Sequence, residues 1–479
     1  MSDENKYRPE LAPQASPEET FSKAISLHQK GEAEQAARLY KMVLRNQSNH
    51  AGSLHYLGLL TLEQGSVEEG ISLIERSIAV APNSSRYHNN YGLSLHGMGR
   101  IEEAISAFNR AIELDAGYPD VHCNLAKTLI IQERFDEAEV ACRHALDLDP
   151  AYGEAHFAQA YSLLQNGDFE AGWKEHEWRF RMKDISSRRF PQPFWGGEAL
   201  TDKKILVWLE QGIGDEVMFA SMLPDLTAVA GHCFIECDPR LVSLFKRSFP
   251  DTDVIPRIDP ANPRTGSLEI SYQVAAGSLG RWFRKSLEQF PKHVGYLKPD
   301  QARVDKLRQK YRDWSNGRLV VGLSWRSGSR VGNLRKKRTL SLDQWGPVLA
   351  DRRIAFVNLQ YGDCRDEIAS VARDTGVEIY QDGEIDTFND LDGLAAQLAA
   401  LDLTISIDNS TVHMAGALGR PTWVLLPFAC DWRWLKDRKE SPWYPSLRLF
   451  RQSSPGDWAG VITRVYDALC EAIESRTSH

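Results

Sequence analysis

From residue 17 to about residue 182, apolar and small residues fall on one face of successive short helices, and the pattern restarts every 34 residues. The third unit is typical. Tyr91, Gly92 and Leu95 mark a first helix over 87–97, Gly97-Met98-Gly99 breaks it, and Ile101, Ala104, Ile105, Phe108, Ala111 and Ile112 line one face of a second. Three registers keep the period. Gly31, Gly65, Gly99 and Gly167 mark the break, with Glu133 at the fourth beat. Ala36, Gly70, Ala104, Ala138 and Gly172 follow five residues later, and Ala24, Gly58, Gly92, Ala126 and Ala160 precede by seven. Pro82 and Pro150 close two units. Small residues allow two helices to cross closely, and glycine allows the tight turn between them. The pattern predicts about five helix-turn-helix units. In the fifth, His176 and Arg179 stand where apolar residues are due and Trp173 and Trp178 appear, which predicts a terminal unit docked on the next domain.

Residues 183–202 lose the period and carry Arg188, Arg189, Pro191, Pro193, Gly196 and Gly197, the composition of a linker. Beyond them short apolar runs alternate with helical patterns. The runs are 204–209, 233–237, 319–325, 354–359, 403–407 and 422–426. Such alternation predicts parallel sheets covered by helices. The runs form two groups split near 298–318, so two Rossmann-like lobes facing a cleft are expected, over 203–300 and 316–475. Ligands of such sheets bind beyond the carboxyl ends of the strands.

A chain of 479 residues with this layout holds two or three domains. Its net charge of −8 argues against a general nucleic-acid or membrane-surface binder. No apolar run reaches the roughly 18 residues of a membrane span. Residues 1–16 lack a signal-peptide pattern and are expected to be disordered. Seven cysteines without a CxxC pair suit reduced thiols and a cytoplasmic protein.

Two loops could carry chemistry. Gly212-Ile213-Gly214-Asp215 follows a strand and opens a helix. Two glycines let a bound group approach the backbone, and Asp215 is either a proton acceptor facing the cleft or a helix cap. The second is the run Asp408 to Pro421, which lies between two strands. Its Asn409-Ser410-Thr411 would stand at a helix N-terminus, where N–H groups and hydroxyls can hold a phosphate, with His413 one turn in. A capped helix with a buried histidine is the alternative. A basic stretch, Arg326 to Arg330 and Lys336-Lys337-Arg338, follows the run at 319–325 and could serve the same site or be a solvated loop. Gln360 ends another strand and could meet a nucleotide base, and Asp431-Trp432-Arg433-Trp434 could wall the pocket. His88, His122 and His156 keep the 34-residue period and are expected to pack between helices rather than bind metal.

The first region resembles the tetratricopeptide repeat. The run from Asp408 to Pro421 resembles the nucleotide-sugar motif of bacterial heptosyltransferase-type GT-B enzymes, and Gly212 to Asp215 looks like their first-lobe loop, over roughly 203–470. Repeats joined to such a fold are similar to O-GlcNAc transferase and to bacterial protein glycosyltransferases, including those that modify flagellin. There is no close copy of the O-GlcNAc transferase donor motif or of its intervening domain. The resemblance implies a metal-independent, inverting transferase without a cofactor, moving sugar from a nucleotide sugar to Ser or Thr of a protein held by the repeats. It places the base at Asp215, a leaving-group cation at Arg326 with Lys336 or Lys337 as substitutes, and donor contacts at Gly212, Gly214, Asp408, Asn409, Ser410, Thr411 and His413. It also implies that Asn90 and Asn124, one period apart, could clamp an extended acceptor. The rival expectation is a glycosyltransferase fold without catalysis, acting as a repeat adaptor.

Overall fold

A computed structural model describes residues 15–182, 188–261, 264–267, 269–292, 295–327 and 339–477. It has two compact units, Met1–Ala155 and His156–His479. The first is all helical: α1 (Pro17–Gln29), α2 (Ala33–Asn46), α3 (Ala51–Glu63), α4 (Val67–Val80), α5 (Ser85–Gly97), α6 (Ile101–Leu114), α7 (Pro119–Ile131) and α8 (Phe135–Leu148). Ala24, Ala36, Ala104, Ala126 and Ala138 are fully buried, as close crossing of paired helices requires. Gly31, Gly65 and Gly99 end the first helix of a pair at φ of +79°, +88° and +80°. Glu133 takes the same left-handed conformation at +56°, which explains how the beat survives without glycine.

α9 (Gly153–Asn166) and α10 (Phe169–His176) complete the helical pattern, but residues from 156 onward belong to the second unit. The unit boundary therefore falls within α9, near the start of the fifth repeat, and not at 183–202, because the large side chains of that repeat are buried in the second unit. Trp173 is 1 % exposed and its indole donates to the Arg284 carbonyl, and the Tyr161 hydroxyl donates to the Cys430 carbonyl. The described part of the expected linker is also structured. Trp195 N–H donates to the Gln273 carbonyl, and Gln273 N–H donates to that of Pro193. Trp195 stacks near Trp282 at 4.3 Å, anchoring this stretch on the sheet edge.

The second unit holds two parallel sheets. One comprises β1 (Lys204–Trp208), β2 (His232–Cys237), β3 (Asp253–Pro256) and β4 (Tyr272–Ala275), in the order β3-β2-β1-β4. The other comprises β5 (Leu319–Ser324), β6 (Ile354–Asn358), β7 (Ile379–Tyr380), β8 (Leu403–Ile407), β9 (Thr422–Leu426) and β10 (Leu447–Arg451), in the order β10-β9-β8-β5-β6-β7. From its first strand outward the second sheet has the doubly wound order 3-2-1-4-5-6, and the first sheet has its 3-2-1-4 part. The strand order reverses between β1 and β4 and between β5 and β8. These are the crevices where such sheets hold ligands.

Candidate functional site

Both motif loops lie at these crevices. α11 (Ile213–Phe219) starts beyond β1, and α12 (Ser410–Ala417) starts beyond β8. Their N-terminal ends abut. A Cβ on Gly214 would stand 2.8 Å from His413 Cδ2 and 3.5 Å from Ser410 Cα, so only glycine allows this approach. Tyr296 fastens the pair, its hydroxyl donating to the Val217 carbonyl at 2.6 Å and its N–H to that of Ala417 at 2.8 Å.

Asp215 has two partners. Oδ2 accepts from Gly212 N–H at 3.1 Å, and Oδ1 stands 2.8 Å from the Arg433 guanidinium. It is thus a helix cap and the partner of a buried arginine at once. Arg433 also pairs with Asp431 at 2.9 Å and donates to His413 Nε2 at 3.5 Å. That leaves Nδ1 of His413 to carry the proton toward the Tyr444 hydroxyl, 3.0 Å away. Burial pushes Arg433 down, but the carboxylates of Asp431, Asp215 and Asp408 outweigh it and hold the guanidinium charged. Burial, with Tyr296 beside it, pushes the Tyr444 hydroxyl far up, so it stays neutral.

Asn409 caps α12, its Oδ1 accepting from Thr411 N–H at 3.0 Å, while Nδ2 donates to Ser324 Oγ at 2.8 Å. It therefore ties α12 to β5 across the crevice. Asp408, Thr411 and His413 are buried, and Ser410 is half-buried at the helix start. Gln360 has a structural role: it is 3 % exposed, and its Oε1 accepts from the N–H groups of Trp325 at 2.9 Å and Arg326 at 2.7 Å. It braces the loop after β5 and also lines the cavity beyond β6 and β7. The Arg326 guanidinium meets Glu367 at 3.2 Å and donates to the Asp363 carbonyl at 2.9 Å. Lys336 and Lys337 lie outside the described residues. Beyond the ends of β6 and β7 is a cavity of about 710 Å³ lined by Tyr361, Asp363, Asp382, Phe388 and Asn389 among others.

In the first unit, Asn90 Nδ2 meets His55 Nε2 at 2.9 Å, and Asn124 Nδ2 donates to Asn89 Oδ1 at 3.0 Å. The two asparagines belong to one polar line across α3, α5 and α7. His88 and His122 each reach a carbonyl, of Pro82 and Ala116, at 3.0 Å. Their period is that of a structural tie between repeats.

Two arginines have partners that their sequence positions do not announce. Arg433, expected only in a pocket wall, stands just past β9. Arg179, in the fifth repeat, is fully buried and grips Glu210 with two bonds of 2.7 and 3.1 Å. Glu210 also accepts from Gly277 N–H, and Arg179 donates to Ser278 at 2.8 Å, so this grip spans the crevice between β1 and β4. Trp173 and His176 of the same repeat pack against Trp432, at 5.4 and 6.0 Å. The fifth repeat thus braces both the loop leading to Asp215 and the turn carrying Arg433.

Glu216, next to Asp215, points away into a buried cluster. It meets Arg257 at 2.6 Å and accepts from Asp238 N–H at 2.9 Å. Burial pushes its carboxyl up to about 7, against the pull of both partners. Between its unfolded value near 4.3 and that figure, the folded state holds a proton that the unfolded state lacks. Its contribution to stability is therefore full at low pH and falls as pH rises through about 7. Glu216→Gln is expected to flatten this fall. Urea midpoints of both proteins at pH 5 and pH 8 measure it, and equal pH slopes would refute it.

Residues 92–132 and 119–152 match family models described as TPR repeat and tetratricopeptide repeat. The N-terminal helices are tetratricopeptide repeats. The chain is 37 % identical to Protein FlbA of Caulobacter vibrioides over 326 residues, which are 65 % of this chain and 54 % of that protein. It thus spans about half the length of the curated relative it matches. Among solved structures, MamA is 27 % identical over 34 % of this chain and 93 % of its own, with a TM-score of 0.30. YrrB, described as a TPR protein with an unusual peptide-binding site, is 16 % identical over 35 % and 87 %, also at 0.30. Among the described residues no helix is long and apolar enough to cross a membrane.

Proposed function

We propose that the chain is a GT-B-type protein glycosyltransferase, metal-independent and inverting, whose repeats hold the acceptor. One observation carries this reading: the acid beyond β1 and the helix entry beyond β8 meet, with Asp215 and His413 both touching Arg433. A Ser or Thr hydroxyl of the acceptor gives its proton to Asp215 as its oxygen bonds to the anomeric carbon. The bond from that carbon to the phosphate oxygen breaks on the opposite face, and the nucleoside diphosphate leaves. Each carboxylate oxygen has two lone pairs, so the partners of Asp215 leave it able to accept a proton. The positive end of the α12 dipole and the charged Arg433 stabilise the leaving diphosphate without a metal. The cavity beyond β6 and β7 suits the nucleoside, with the Tyr361 and Phe388 rings 6.2 Å apart and carboxylates for ribose hydroxyls.

Flagellin is the acceptor class we put to the test. The protein is incubated with a panel of nucleotide sugars, EDTA and flagellin, and released nucleoside diphosphate and intact flagellin mass are read. Mass increments of whole sugar residues are expected. Donor consumption without them would place the acceptor elsewhere. No consumption of any donor would favour the catalytically silent adaptor, for which the existing partners of Asp215 speak.

A further inference from the structure

The repeats carry a second surface, unrelated to the asparagine line and independent of the sugar-transfer reading. A groove of about 640 Å³ runs between α6 and α8 over the floor of α7. Leu125 and Leu129 form its floor, and Val140 and Leu148 of α8 form a wall. On α7, Asn124 and His122 are two residues apart, about 200° around the helix, so the groove and the asparagine line use opposite faces.

Repeat packing does not require this wall. One and two repeats earlier, the positions of Val140 and His144 hold Ser106 with Arg110 and Ser72 with Arg76. Only here is the first of the two positions apolar, and Val140 and Leu148 remain 48 % and 44 % exposed. Leaving such side chains in water is unfavourable, and paired exposure in a groove marks a contact surface.

The charge of the rim says what covers it. Asp136, Glu137 and Asp147 are among the residues lining the groove, and no lysine or arginine is. Glu137 is paired with Arg134, whereas among the described residues Asp136 and Asp147 have no ion pair. They stand eleven residues apart on α8, which is about 16 Å or three helical turns. The surroundings add to this field, because residues 17–155 hold 20 acidic and 12 basic residues, so the chain's net charge of −8 resides in the array.

We infer that this groove docks an amphipathic helix of a partner protein, about three turns long, with an apolar stripe flanked by lysine or arginine at both ends. The stripe fills the space between Val140, Leu148 and Leu125, and the end cations meet Asp136 and Asp147.

A labelled 14-residue helical peptide of leucine and lysine, and its leucine–glutamate counterpart, serve as probes of the full chain by fluorescence anisotropy. The lysine peptide is expected to bind, and Val140→Glu to weaken it by about tenfold or more with the helical CD spectrum unchanged. The double change Asp136→Lys and Asp147→Lys is expected to reverse the preference toward the glutamate peptide. Equal binding by wild type and Val140→Glu, an unreversed preference, or no binding by wild type would each overturn the inference.

Discussion

Asp215→Asn is expected to lower sugar transfer by about 10²- to 10⁴-fold, the usual worth of a positioned general base. The amide keeps the shape of the side chain and can still accept from Gly212 N–H, so the cap on α11 survives. What it loses is the ability to take the acceptor proton. Its charge is also gone, but Asp431 remains 2.9 Å from Arg433 and keeps that guanidinium paired. Released nucleoside diphosphate, followed beside a thermal melt, separates the two effects. Full activity would remove Asp215 from the base position, and a collapsed melt would make it a structural residue.

The second large effect concerns the fifth repeat. Arg179→Met is expected to destabilise the C-terminal unit by about 3–5 kcal/mol, because it strands the buried carboxylate of Glu210. Burial disfavours the charge of Arg179, and Glu210 and Glu177 more than restore it, so the group is charged in the fold and cannot be removed neutrally. Glu210 leads directly into Gln211 and the Gly212–Asp215 loop, so transfer should fall as well. Calorimetry of the full chain tests this. The transition of the C-terminal unit should move down while that of the repeats stays in place. Unchanged unfolding would mean that the repeat only rests against the sheet.

How much of this was legible in the sequence follows from the range of each interaction. The 34-residue beat records local sterics, the left-handed turn and the close helix crossing, and both repeat inside every unit. The parallel strands were legible because most are buried along nearly their whole length, as all five residues of β8 are. The loops at 212–215 and 408–413 stood out because strand, turn and helix entry are adjacent in the chain. Pairings between distant segments leave no such mark. Nothing near Asp215 announces Arg433, and nothing in the fifth repeat names Glu210 as the partner of Arg179. Gln360 was legible as a strand-end residue, but not the bonds from Trp325 and Arg326 N–H to its Oε1, which only the folded loop brings to it. Residues 183–202 read as a linker from their prolines and glycines, yet within them the backbone of Pro193 and Trp195 finds partners on Gln273.

The most direct test of a donor site at the meeting of α11 and α12 is a thermal shift of the whole protein. It is measured in EDTA against nucleoside diphosphates and nucleotide sugars, with Arg433→Met as the comparison at matched fold. The account predicts a clear upward shift with one nucleoside class, no need for a divalent cation, and a much smaller shift in the variant. Absence of a shift with every nucleotide, in EDTA and with magnesium alike, would contradict it.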